Sequence, residues 1–512
     1  MQPEAATSLI NPSRPISKIN WLFSWPLIVG VLVYLLMFHV GKSLLNDGDT
    51  LLHISAGQWI LQHGTVPFVD PFSHTMRGAP WIAHEWLSEV FLALAHQWGG
   101  WTGVVSLTAL VFGLTMALFT RALLKHLEPI YVLLFAALAI LMSAAHLLAR
   151  PHILTLPLMM AWSIELVRAS DEKQTPSLWM LPVMTLWANM HGGFTLGLAM
   201  TGVFALETVL ASRNKQRTLS VAKSWGIFLL LALLSSLITP YGFKGILFTW
   251  ELLFNSSYAI DNISEWMSPN FHTFQSLEVW LLGGMALFIY QGLRLPVLRL
   301  ILMLGFVHLA LKHGRYVEFL GLLVPLFVSA PLAEQWKLKR QGQQQLEAVD
   351  RFFHKLAQPA GVVAAALALS GLLLFSFLVF TIKPIQIDNS AAPTQAIVAV
   401  QTAGLRGPVL NSYGLGGYLI YADIPPFIDG RADMYRTDFI KTYVQALSLQ
   451  ETDSLQKLLS QYKIEWTLLE PGMPAVTLLD HLPEWHRLYT DKNSVVHVNR
   501  SALHPAPETT PL

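Results

Sequence analysis

Long apolar runs recur along residues 25–382 and then cease. Runs long enough to cross a bilayer fall at roughly 23–43, 101–122, 130–148, 152–168, 177–190, 194–211, 225–240, 276–292, 296–312, 316–333 and 359–382. The pattern predicts a polytopic α-helical membrane protein with about eleven transmembrane helices. Several runs are short for the ~20 residues of a full crossing, and 177–190 with 194–211, interrupted by His191-Gly192-Gly193, also reads as one long broken helix.

After residue 382 the period shortens and turn residues separate the apolar stretches, as in a soluble α/β domain over 383–504. Ile397 to Val400, Val409 to Asn411, Tyr418 to Tyr421, Pro426 to Ile428 and Ile464 to Leu469 read as strands, and Ser494 to Val498 as an edge strand. Residues 438–449 and 453–461 read as helices, and the Pro- and Thr-rich 505–512 as a disordered tail.

Composition agrees. Of 512 residues, 13% are charged, against about 25% in soluble globular proteins, and 53% are hydrophobic. A net charge of +1 supplies no basic field for nucleic acid. With no cysteine, disulfides, thiolate catalysis and Cys-ligated zinc are excluded. No small-x-small cleavage site follows the first apolar run, which reads as an uncleaved helix.

Charge asymmetry sets the expected orientation. Leaving out the C-terminal domain, the segments on the same side of the membrane as the N-terminus hold 17 Lys and Arg, among them Arg121, Lys125, Arg213, Arg217 and Lys339. The opposite loops hold 6: Lys42, Arg77, Arg150, Lys244, Lys312 and Arg315. The positive-inside rule then makes the N-terminus cytoplasmic and puts the loops 44–100 and 241–275, with the C-terminal domain, outside.

Candidate chemistry gathers on that outer side. The first outer loop opens Asn46-Asp47-Gly48-Asp49-Thr50-Leu51-Leu52-His53, and Asp49 and His53 share a face if a helix starts there. Leu51, Leu52, Trp59 and Ile60 would form its interfacial face, with Gly64 as its end. Asp49 is equally read as a plain N-cap. Glu85 and Glu89 share a face of a second short helix that ends at Gly99-Gly100. Other outer clusters are Arg150-Pro151-His152, Lys312-His313-Gly314-Arg315, the His191 turn, and Asp261, Glu265 and Trp266. Cations there suit a lipid phosphate, or simply snorkel to headgroups. In the tail, Tyr413-Gly414-Leu415-Gly416-Gly417 is no dinucleotide fingerprint, because a strand is expected after it. Asp429, Arg431 and Asp433 read as a structural pairing or as a rim facing the membrane site.

The order of the first outer loop resembles that of GT-C fold glycosyltransferases, which take sugars from polyprenyl-phosphate carriers. It is most similar to bacterial relatives of the protein mannosyltransferase and aminoarabinose transferase group. The matching residues are Asp47, Asp49, Leu52-His53, Gly57, Gly64, Pro67, Asp70-Pro71-Phe72-Ser73, Pro80-Trp81 and His84-Glu85-Trp86-Leu87. The C-terminal part departs from the best-known members. The resemblance implies a bacterial inner-membrane enzyme transferring a hexosyl or pentosyl group to a lipid, glycan or protein acceptor. It puts a general base on Asp47 or Asp49, with Glu85 next, in an inverting single displacement. His53, His84, Arg150, His152, His191, Glu265, Lys312, His313 and Arg315 are the expected substrate-binding residues. No cofactor is demanded by spacing; some relatives use a divalent metal such as Mg or Mn. The rival readings are a transporter or flippase of a lipid-linked glycan, and a non-enzymatic membrane scaffold. Against a transporter stands the lack of repeated halves.

Overall fold

A computed structural model describes residues 23–212, 214–255, 266–339, 348–388 and 390–502. Each predicted run becomes a helix: Trp25–His39, Trp86–Leu123, Pro129–Ser143, Pro151–Asp171, Leu181–Met190, Phe194–Leu210, Lys215–Ser236, Ser276–Gln291, Val297–Lys312, Val317–Lys339 and Val362–Ile382. Six described helices are long and apolar enough to cross a membrane: those beginning at Trp86, Pro129, Pro151, Lys215, Gly314 and Val362. Leu181–Met190 and Phe194–Leu210 are two helices, divided by His191 in extended conformation.

The bundle core is aromatic, with Trp162, Trp187, Trp225, Phe112, Phe119 and Phe204 fully buried. Trp25–His39 packs on Trp86–Leu123 through Gly30 and Gly113, where an added Cβ at Gly113 would meet the Gly30 carbonyl at 2.8 Å. Small residues permit such close crossings in lipid. Val362–Ile382 is apolar all round and almost unburied by protein, as a lipid-facing helix would be.

The first outer loop folds onto this bundle. Its helix Gly48–His63 ends at Gly64, which adopts the left-handed φ of 65° that glycine favours. Gly57 brings this helix against the start of Trp86–Leu123; a Cβ there would lie 2.0 Å from the Glu89 carbonyl. Trp86–Leu123 turns at Gly100 (φ 53°, ψ −147°), so the expected short helix and the following span join across a kink. The proposed interfacial face is corrected: Leu51, Leu52 and Ile60 are buried against protein.

The C-terminal segment contains a four-stranded sheet of order β1-β2-β4-β3, with β1 Val409–Asn411, β2 Trp466–Leu469, β3 Trp485–Thr490 and β4 Val495–Asn499. β1 and β2 are parallel (Leu410 opposite Thr467); the remaining pairs are antiparallel. Four expectations fail here. Ile397 to Val400 lies in the helix Thr394–Thr402, which buries Ala396, Ile397 and Val400 at helical spacing. Tyr418 to Tyr421 belongs to the helix Gly416–Tyr421, not to a strand. Ser494 to Val498 is no edge, because β4 lies between β2 and β3. Short apolar runs fit either period, and sheet neighbours choose between them. Pro426 to Ile428 lies outside the four strands, with Phe427 and Ile428 wholly buried. The helices near 438–449 and 453–461 form as Thr437–Leu447 and Ser454–Gln461.

One sheet face packs Ala396, Ile397, Leu419, Trp466 and Val498 together with Leu51 of the outer loop. The tail core therefore includes a residue some 350 positions upstream, and the two segments are joined by burial.

Candidate functional site

The outer loop places Asp47 where the turn after Trp25–His39 gives way to the helix Gly48–His63. Asp47 is the N-cap: its Oδ1 accepts the Asp49 backbone N–H at 3.2 Å. The capping alternative considered for Asp49 thus belongs to Asp47. Asp49 sits in the first turn, where the helix dipole favours a carboxylate. Arg150, at the N-cap of Pro151–Asp171, donates from Nε and Nη2 to both Asp47 oxygens, with Nη2–Oδ1 at 2.7 Å. Its Nη2 also lies 3.1 Å from Asp49 Oδ2. A two-pronged guanidinium–carboxylate pair of this kind is strong and directional.

Glu85 is the centre of a second group. His191 Nε2 lies 3.4 Å and His84 Nε2 3.7 Å from its Oε1, and His53 Nε2 lies 3.9 Å from its Oε2. Burial alone would raise its pKa, but His84, His191, His53 and Arg315 outweigh burial and hold Glu85 below the usual carboxylate range. His53 Nδ1 is 3.2 Å from Glu89 Oε1. Burial disfavours the His53 imidazolium, yet the Glu89 bond and the charges of Glu85, Glu89 and Asp49 prevail, raising its pKa to about 9. His191 responds oppositely: burial, aided by Arg315, His84 and His53, overcomes Glu85 and lowers it to about 4. The Gly193 N–H donates to His191 Nδ1 at 3.0 Å, so the neutral ring carries its proton on Nε2, toward Glu85. Trp86 and Ser88 anchor the start of this helix, with Trp86 Nε1 donating to Asn189 Oδ1 and Ser88 Oγ to the Met190 carbonyl.

The remaining clusters divide. Arg315 lies over the Trp266 ring at 4.3 Å and acts electrostatically on Glu85 and His191, so it faces the same group. Lys312 is exposed and engages Ser268 through its carbonyl. His313 Nδ1 is bound to the Trp266 carbonyl. His152 Nε2 is bound to the His146 carbonyl, its ring 6.3 Å from that of His191. Glu265 and Asp261 lie outside the described residues. Among the described residues no group of three or more His, Asp or Glu is arranged to hold a metal ion.

The largest surprise is the tail. Arg431 donates from Nε and Nη2 to both oxygens of Asp429 at 2.8 and 2.6 Å, and from Nη1 to Asp70 Oδ1 at 2.7 Å. Its guanidinium lies 4.6 Å from the Trp81 ring centre and 5.2 Å from that of Phe72. Thr75 Oγ1 donates to the Phe427 carbonyl, and Met434 packs with Trp81 and Ala83. Asp429 and Arg431 are thus a structural pair, and Arg431 ties it to Asp70 of the outer loop. Asp433 lies within electrostatic reach of His84 and Glu85, and burial raises its pKa. Gly414 and Gly417 pack against Gly48 of the Asp47–Asp49 turn and Gly416 against Ile428 and Asp429, and a helix, not the expected strand, begins at Gly416. Glu89, which is 3% exposed with an unpartnered Oε2, and Asp433 stand out in the sequence but are not among its expected catalytic or substrate-binding residues, and neither are Tyr413 and Gly430 of the tail. Only the composition of the Asp429–Asp433 run hinted at the tail's part.

No family model matches the chain, and no curated protein matches it. Among solved structures it resembles the archaeal oligosaccharyltransferase AglB from Archaeoglobus fulgidus, in complex with an inhibitory peptide and a dolichol-phosphate. The TM-score is 0.52 at 9% identity, over 87% of this chain and 69% of that one. ArnT from Cupriavidus metallidurans, bound to undecaprenyl phosphate and in the apo state, aligns with TM-scores of 0.47 and 0.48 at 14% identity, over 94% of this chain and 99% of that one. The chain shares with AglB a GT-C type fold, the architecture that the motifs of its first outer loop led us to expect.

Proposed function

We propose that this protein is an integral-membrane glycosyltransferase that moves a sugar from a polyprenyl-phosphate carrier to an acceptor on the extracytoplasmic face. In this reading all eleven apolar helices cross the membrane, the N-terminus is cytoplasmic, and the tail lies outside. The observation that carries it is the pair Asp47 and Asp49, joined through Arg150 where the first apolar helix gives way to the outer loop.

The two carboxylates differ. Asp47 uses both oxygens on Arg150 and one on the helix cap. Asp49 lies 3.1 Å from Arg150 through Oδ2, in the first turn of the helix, and takes the role of base in this reading. Asp49 takes the acceptor proton, and the acceptor's electron pair forms the new bond to the anomeric carbon. The bond from that carbon to the phosphate oxygen breaks with its electrons on the phosphate. Arg150 and Arg315 stabilise the departing polyprenyl phosphate. A single displacement inverts the anomeric centre. Ionised Glu85, with charged His53, keeps a polar wall beside the reacting atoms.

The test exploits Asn, which retains the shape of Asp and can still cap a helix. Asp49→Asn is expected to leave folding intact and slow carrier release from polyprenyl-phosphate sugars by about 10²-fold or more. Near-native release by both Asp49→Asn and Asp47→Asn would move the base to Glu85. No release by the wild type from any such donor would end the transferase reading.

A further inference from the structure

Two tail motifs meet at one carboxylate. Gly430 lies against Asp49: an added Cβ would stand 1.9 Å from Asp49 Oδ1 and 2.7 Å from its Cγ. Gly430 has no positive φ, so glycine is needed here for room and not for backbone freedom. Tyr413 holds this turn in place, its hydroxyl donating to the Gly430 carbonyl at 3.0 Å. Burial, then the charges of Asp49, Asp429 and Asp433, push the Tyr413 phenol up, so it stays a donor.

The same stretch of tail closes on the backbone beside Asp49. A Cβ at Gly48 would stand 2.0 Å from the Gly414 carbonyl, and one at Gly417 would stand 2.1 Å from the Gly48 carbonyl. Next to Gly430, Arg431 clasps Asp70 of the outer loop. Asp49 is therefore bounded by Arg150 at Oδ2 and by the tail at Oδ1. A general base must lie within about 2.6–3.2 Å of the proton donor, and a misplacement of ~1 Å costs about 10²-fold in rate.

We propose that the tail positions the candidate base: Gly430, held by Tyr413, is a seat that sets the orientation of the Asp49 carboxylate, and the site is assembled only while the tail is docked. The proposal rests on the reading of Asp49 as the base. Both residues are positioning residues, since they act through Asp49.

Gly430→Ala in the full chain tests it with three measurements. Carbodiimide labelling of carboxyl groups, read by mass spectrometry, reports whether Asp49 has left its seat. Binding of undecaprenyl phosphate reports the carrier site, and carrier release reports the chemistry. Labelling of Asp49 is expected to rise severalfold and release to fall by about 10²-fold, with carrier affinity and melting temperature retained. Gly472→Ala is the control, because a Cβ there meets nothing within 4 Å. It should match the wild type throughout. Unchanged Asp49 labelling in Gly430→Ala overturns the seat, whatever the activity. If that variant fails to fold, Tyr413→Phe decides, since it deletes only the hydroxyl on Gly430; unchanged Asp49 labelling there overturns the proposal as well. A wild type that releases no carrier leaves the labelling decisive for the seat and removes only the transferase reading.

Discussion

Replacing Arg431 by Met removes the charge that joins tail to loop while keeping an apolar stem over Trp81 and Phe72. Arg431 is 5% exposed, Asp70 1% and Asp429 0%, so both carboxylates lose a guanidinium in a place water barely reaches. Neither is left bare. Asp70 still accepts from the Phe72 and Ser73 backbones and the Ser73 hydroxyl, and Asp429 from the backbone N–H at 431 and the Tyr435 hydroxyl. Removing one partner of a buried ion pair costs about 3–5 kcal/mol. At 1.4 kcal/mol per decade, the docked tail should open roughly 10²- to 4 × 10³-fold more often. The His74 amide reports this opening, because it donates to the Pro426 carbonyl at 3.1 Å across the joint. Its hydrogen exchange should accelerate by that factor at neutral pH, while the helix Trp86–Leu123 exchanges as in the wild type. In the native chain burial pushes the Asp429 carboxyl up and Arg431 holds it down, so in the variant burial is expected to raise it. That penalty is full above the raised folded pKa and is relieved as pH falls through it, so acidification should partly restore docking. An unchanged His74 exchange rate in Arg431→Met would refute the clasp.

Other expectations follow from the same geometry. The His53 pKa is raised to about 9, so the stability His53 confers over His53→Gln should be full below about pH 6.5 and fade as pH rises through about 9; a melting difference flat from acid to alkaline pH would contradict this. Arg150→Ala and Arg315→Ala should each weaken binding of undecaprenyl phosphate by about 1.5–3 kcal/mol, the worth of a charge-assisted hydrogen bond, and wild-type affinity in both would return these residues to headgroup anchoring. Reporter fusions at Arg217 and Lys339 should read as cytoplasmic and those at Gly78 and Asp453 as external; an external reading at Lys339 would break the charge argument.

Sequence alone determined the helical bundle, because a crossing segment must be apolar along its whole length and that signal is local. It also marked the outer side: Asp47, Asp49, His53 and Glu85 of the outer loop, and Arg150 between two later helices, were legible as polar residues near the ends of apolar runs, where their burial is costly unless paired. The short elements of the tail were not. Ile397 to Val400 became a helix and β4 an interior strand, since a run of four or five apolar residues fits both periods and only its neighbours decide. Nor did any local pattern say that Asp47 rather than Asp49 caps the helix, or that Arg150, 103 residues away, bridges them. Tertiary structure alone joined Arg431 to Asp70 across 361 residues and set Gly430 against Asp49. The reason is physical: a glycine needed for room and a carboxylate needing a counter-charge look the same in sequence wherever their partners lie, and the partner is supplied only when distant chain segments are buried together.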